Sequence, residues 1–143
     1  MKRRLLYEWI PTLALLLAAP GAFAQEVVAI VSAKSAVTSL DRAAVSDIFL
    51  GRSSRFPDGS IAVPLDQDED SPVRERFYAV YADKSSAQMK AHWSKIIFTG
   101  RGQPPRQLAD SGEVRKVVAQ SPNAIGYIDR RHLDSSVRAV GGR

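Results

Sequence analysis

The sequence predicts one α/β domain built on a partly parallel sheet. Short β-branched apolar runs recur at residues 27–31, 61–65 and 124–128. Helical spacings of apolar residues lie between them, most opened by a Ser or Asp cap. Strands separated by helices stack as layers, with the sheet covered by the helices. Internal repeats and low-complexity tracts are absent from the sequence.

The first 24 residues read as an export leader. Lys2, Arg3 and Arg4 form a positive head, an apolar run follows over residues 9–19, and Ala22-Phe23-Ala24 forms an A-x-A cleavage site. The run is shorter than the ~20 residues a membrane span requires. Cleavage after Ala24 would start the mature chain at Gln25, and removing 24 of 143 residues leaves 119. The expected compartment is the periplasm. With no cysteine in the chain, a lipid anchor at this site and any disulfide are excluded. The leader takes three basic residues and one acidic residue with it, lowering the net charge from +5 to +3. That is too mild a balance to indicate nucleic acid.

Val27-Val28-Ala29-Ile30-Val31 is continuously apolar, as a buried strand is. Asp41 caps a helix with Ala44, Val45, Ile48 and Phe49 on its inner face, and Gly51 ends it. Phe56-Pro57-Asp58-Gly59 is a turn. Ile61-Ala62-Val63-Pro64-Leu65 follows as a strand, with Pro64 expected at a sheet edge or a strand end because it lacks an N–H. Ser71-Pro72 starts a second helix with Val73, Phe77, Val80 and Tyr81 inward. A third covers residues 86–98, with Met89, Trp93, Ile96 and Ile97 on one face. Residues 99–105 read as a loop from their Gly and Pro content. Ser111 is expected to cap a short helix with Val114, Val117 and Val118 inward. Ala124-Ile125-Gly126-Tyr127-Ile128 is a third strand and residues 137–140 a fourth.

Several of these segments, in this order, resemble the phosphate-type periplasmic solute-binding proteins of ABC transporters. They are Asp47-Ile48-Phe49-Leu50-Gly51-Arg52, Phe56-Pro57-Asp58-Gly59 with Ile61-Ala62-Val63-Pro64, Ile97-Phe98-Thr99-Gly100-Arg101-Gly102, and Asn123-Ala124-Ile125-Gly126-Tyr127-Ile128. The resemblance runs from about Val27 to Ile128. It implies a three-layer α/β/α lobe with a mixed sheet, like one lobe of a type II periplasmic binding protein. The family closes two lobes on an anion, and the matching segments belong to the second lobe. This chain therefore looks like half of a clamshell.

In the larger relatives, an Arg followed by Ser-Gly-Thr at a helix start helps hold the phosphate. Free N–H groups and the helix dipole favour negative charge there. The matching stretch here is Gln67-Asp68-Glu69-Asp70-Ser71-Pro72-Val73. Ser71 keeps the hydroxyl, Pro72 removes an N–H, Val73 removes a second hydroxyl, and Gln67 stands where the Arg would be. Acidic neighbours oppose an anion, while Arg74 and Arg76 offset part of that charge. Gly100-Arg101-Gly102 offers a guanidinium and close backbone approach, and Ser32 and Lys34 follow the first strand. The expected ligand-binding residues are thus Ser71, Arg74, Arg101, Ser32 and Lys34.

Other chemistries fit less well. Asp66-x-Asp68-x-Asp70 lacks the Gly and Glu of a calcium loop, having Ser71 and Phe77 in their places. Gly100-Arg101-Gly102 lacks the Lys-Ser/Thr of a P-loop. His92 has no Ser, Cys or carboxylate at a spacing that signals catalysis, and two histidines without cysteine do not suggest a metal site. The expectation is a monomer without cofactor or enzymatic activity. It binds a phosphate-like oxyanion for an ABC transporter or, alternatively, has lost the ligand and docks a periplasmic or membrane protein.

Overall fold

The computed structural model describes residues 26–141. The leader and the expected Gln25 start lie outside them. Five strands form one mixed sheet in the order β3-β2-β4-β1-β5. The strands are β1 (Val27–Ser32), β2 (Val63–Gln67), β3 (Arg106–Leu108), β4 (Ala124–Asp129) and β5 (Val137–Ala139). β2 runs parallel to β3 and β4, whereas β1 is antiparallel to both β4 and β5.

Alternation along the strands separates two cores. Val27, Ala29 and Val31 of β1 and Ile125 and Tyr127 of β4 face α1 (Arg42–Phe49), α2 (Pro72–Ala82) and α3 (Ser86–Phe98). Val28, Ile30, Ala124 and Ile128 face α4 (Ser111–Gln120) on the other side. The domain therefore has three layers, α/β/α. On the larger side Phe77 stacks on Tyr127, their ring centres 3.9 Å apart, and Phe49 meets both rings edge-on. On the smaller side Gly126 lets α4 sit close to β4. A Cβ at that position would lie 2.5 Å from Val114 Cγ1.

The helix starts follow local chemistry. Asp41, Ser71 and Ser85 each accept a hydrogen bond from the amide three residues on, and Gln88 completes a capping box with Ser85. α4 is capped by Asp110 rather than Ser111, which is its first helical residue. The sheet corrects one further expectation and adds one strand. β2 starts two residues later than Ile61, which instead bridges Arg55 across the turn. Pro64 lies on an interior strand, but near its start. Val63 N–H donates towards β4, so the Pro64 nitrogen faces β3, whose pairing begins only at Leu65. β3 follows the expected loop, as a strand the sequence does not signal. Two apolar faces are narrower than their spacing suggests: Val80 and Ile97 are about half exposed and Phe98 is 92% exposed. Among the described residues no helix is long and apolar enough to cross a membrane.

Candidate functional site

The carboxyl ends of β2 and β4 meet the starts of α2 and α4 at one edge of the sheet. Leu65 and Gln67 point towards α4, so Asp66 between them points towards α2. Asp66 is buried and surrounded by donors. Tyr78 Oη donates to it at 2.7 Å, Tyr127 Oη donates to its other oxygen, and the Gln67 amide donates at 2.8 Å. Arg74 Nε lies 3.3 Å from Asp66 Oδ1, an ion-pair separation without hydrogen-bond alignment. The guanidinium is itself buried, its carbon 5.0 Å above the Tyr78 ring. Burial, and then the negative charge of Asp66, push the hydroxyls of Tyr78 and Tyr127 well above the ordinary tyrosine range.

Gln67 joins the two helix starts. Its amide nitrogen donates to Tyr127 O at 3.0 Å and to Ser111 Oγ at 3.2 Å. Its amide oxygen accepts from Ser71 Oγ at 2.8 Å. Ser71 Oγ in turn accepts from the Arg74 amide, and Ser111 Oγ from the Asp129 amide. The partly exposed Ser71 and the buried Gln67 carboxamide thus form a polar floor between two helix N-termini. At α2, Pro72 has no N–H and the Arg74 amide is engaged, which leaves the Val73 amide to face a ligand. At α4, the Glu113 amide is held by Asp110, which leaves those of Ser111 and Gly112. Asp68, Glu69, Asp70, Asp110 and Glu113 surround the edge and are exposed. Asp129 is held below the usual carboxylate range by hydrogen bonds from Arg131.

Of the five residues expected to bind, the structure brings together Ser71 and Arg74. Arg74 sits beneath the site, turned into Asp66. Arg101, Ser32 and Lys34 lie at the opposite end. β1 is antiparallel to β4, so its carboxyl end points away from those of β2 and β4. Ser32 is level with Val137, and its Oγ donates to Ala119 O at the end of α4. Lys34 is exposed just beyond it, its amide held by Ser32 Oγ. Arg101 follows α3, and the loop continues through Pro104 and Pro105 beside Val63 at the start of β2. The length of β2, about 13 Å at 3.3 Å per residue, separates that end from Ser71. One small anion cannot touch both. Gln67, Asp66 and Ser111 are the central residues that sequence reasoning did not assign. The Asp66-Gln67 pair at a strand end, four residues before a Ser-Pro helix start, is a signal that could have found the first two.

No protein-family model and no curated protein matches this sequence. Solved structures match it as a fold. One is a Clostridium perfringens protein described as a phosphate ABC transporter substrate-binding protein, solved with bound phosphate. The match has a TM-score of 0.60 and 23% identity, and covers 80% of this chain and 43% of that one.

The fold is that of a single lobe of the phosphate-binding proteins.

An ABC-type phosphate transport receptor from Vibrio cholerae matches with a TM-score of 0.62 and 16% identity over 80% of this chain and 44% of its own. PstS from Borrelia burgdorferi matches with a TM-score of 0.59 and 13% identity over 80% and 46%. This chain spans less than half of each of these proteins. What it shares with them is the lobe. The Ser71–Gln67–Ser111 floor is a feature of this chain's own residues.

Proposed function

We propose that this chain is a periplasmic protein of the solute-binding type that takes a phosphate-like oxyanion at the β2–α2 edge, in the service of an ABC transporter. The observation that carries this reading is the Ser71 hydroxyl, held by Gln67 at the start of α2 and partly exposed between two helix N-termini. The likeness to part of a protein solved with bound phosphate supports it. Arg74 contributes a positive charge from beneath, the Val73 amide faces the ligand, and the Ser71 hydroxyl turns its proton from Gln67 Oε1 to the anion. Arg101, Ser32 and Lys34 stand apart from this site. The chain carries no nucleophile–base pair here, so the role is binding.

A lone lobe covers one side of an ion, and Asp66 already balances Arg74. Affinity should therefore be weaker than about 10 µM, because 1 µM corresponds to roughly 8 kcal/mol and a few exposed hydrogen bonds supply less. Calorimetric titration of the mature chain with phosphate and with sulfate tests the reading. Weak binding lost in Ser71→Ala supports it, and no heat up to millimolar phosphate overturns it.

A second reading, a ligand-free lobe that docks a protein partner, is favoured by one specific observation. The cation nearest the helix start is spent internally on Asp66, beneath an edge lined by carboxylates. Absence of phosphate binding, together with a stable complex with a periplasmic or membrane protein, would establish that reading.

A further inference from the structure

A second concave surface lies beside β1, outside the Ser71 floor. It is a groove of about 990 Å³, and three of its walls carry arginines from three separate elements: Arg42 at the start of α1, Arg76 on α2 and Arg130 after β4. Val80 and Tyr81 give it an apolar floor. Arg130 is paired with Glu26 at 3.3 Å. Neither Arg42 nor Arg76 has a carboxylate within ion-pairing distance among the described residues, although both are exposed. Like charges placed around a cavity repel one another, so an uncompensated pair of guanidinium groups there favours an anionic occupant.

The shape narrows the class of occupant. The groove is far larger than a single oxyanion needs, and its floor rewards apolar side chains. β5 pairs with β1 at Ile30, Val31 and Ser32, the Val140 amide extends the pairing to Ala29 O, and Val27 and Val28 line the groove beyond it. An extended segment laid along β1 would place alternate side chains on the floor and towards the walls. We propose that this groove docks an extended acidic segment of a protein partner, whose carboxylates pair with Arg42 and Arg76 while its apolar residues cover Val80 and Tyr81. Guanidinium groups suit this role because they hold carboxylates through two parallel hydrogen bonds. The proposal does not depend on oxyanion binding at Ser71, since Ser71, Gln67 and Arg74 do not line the groove.

The probe is a fluorescein-labelled peptide of alternating Glu and Val, titrated with the mature chain and followed by anisotropy. A Lys-Val peptide serves as its control. The acidic peptide should bind, and binding should weaken steeply from 50 mM to 500 mM salt because the pairs are exposed. Arg42→Glu with Arg76→Glu should lower affinity by tenfold or more, and the milder Arg42→Gln with Arg76→Gln should act in the same direction. Neither side chain is buried, so unchanged circular dichroism and melting are expected of both double variants. Ser71→Ala and Arg101→Glu should leave peptide affinity unchanged. Equal binding of the Lys-Val peptide, or an acidic-peptide affinity indifferent to both double variants, overturns the proposal. So does no binding of the acidic peptide at millimolar concentration. Displacement of the peptide by inorganic phosphate at matched ionic strength would assign the groove to small anions and likewise overturn it.

Discussion

Arg74→Met and Asp66→Ala remove opposite halves of one buried pair, and the structure predicts unequal costs. Removing Arg74 leaves Asp66 with three donors: the Tyr78 and Tyr127 hydroxyls and the Gln67 amide. Methionine fills much of the vacated volume. Breaking a buried pair from one side costs roughly 3–5 kcal/mol when the remaining charge is abandoned, so a retained shell of donors should hold the cost near 2 kcal/mol. Removing Asp66 instead strands a guanidinium that is 5% exposed and takes the acceptor from two buried hydroxyls, of which Tyr127 keeps the Gln67 amide as a donor. An unsatisfied buried group costs about 1–3 kcal/mol each, so Asp66→Ala should cost at least about 4 kcal/mol. For a domain of this length about 4 °C of melting temperature corresponds to 1 kcal/mol. Arg74→Met should then melt about 8 °C lower than the wild type and Asp66→Ala about 16 °C lower or more. The double variant should melt well above the temperature that the summed losses predict, because Arg74→Met removes the guanidinium that Asp66→Ala strands. Thermal denaturation followed by circular dichroism reads all three. If Arg74→Met melts within about 2 °C of wild type, the guanidinium is not part of the structural network and the reasoning fails.

Gly126→Ala should destabilise by about 1–3 kcal/mol, since the new methyl meets Val114 and Val118 on α4; urea denaturation measures it, and a neutral result would mean α4 moves away freely. Tyr78, Tyr81 and Tyr127 are all raised, chiefly by burial, so their native state stays protonated above pH 10, where the unfolded chain loses protons. Stability should therefore fall as pH rises past about 10, and absorbance at 295 nm should show tyrosinate appearing only together with unfolding. Asp129 is lowered by Arg131, so its contribution is complete above the unfolded carboxylate value near pH 4 and is lost as pH falls through its folded value; acid denaturation should be shallower in Asp129→Asn. Arg101→Ala should leave any phosphate affinity unchanged in calorimetry, because its loop lies at the far end of β2 from Ser71.

Much of the fold is visible in residue pattern because its cores are local and apolar. The β-branched run of β1, the Ser71-Pro72 helix start and the Gly51 helix end each rest on preferences of the backbone itself. β3 is invisible for the same reason: Arg106-Gln107-Leu108 has two exposed polar residues, and only pairing with β2 makes it a strand. Strand direction was also hidden. No local feature of Val27-Val28-Ala29-Ile30-Val31 says that it runs against β4, and that direction places Ser32 and Lys34 away from Ser71. The inward turn of Arg74 escaped the apolar periodicity of α2, because its burial depends on Asp66 and Tyr78, groups that periodicity does not register. Ser71 was legible because a hydroxyl before Pro is a strong local cap. Gln67 was seen only as a missing Arg, whereas its carboxamide is the link between two helices.

The position of β1 has a consequence for how the chain acquires its structure. β1 lies between β4 and β5, so Val27 stands opposite Asp129 and Ser32 opposite Val137, about a hundred residues away in each case. A strand made first therefore waits for the last strands made before either of its edges is covered. The loop that must close is nearly the whole domain, and pairings of this span slow the search for the native state. Until then Val27 to Val31 is an apolar β-branched segment with two open edges, the kind that pairs with other chains. Such a domain gains from a holdase that keeps this segment covered until the final twenty or so residues are available.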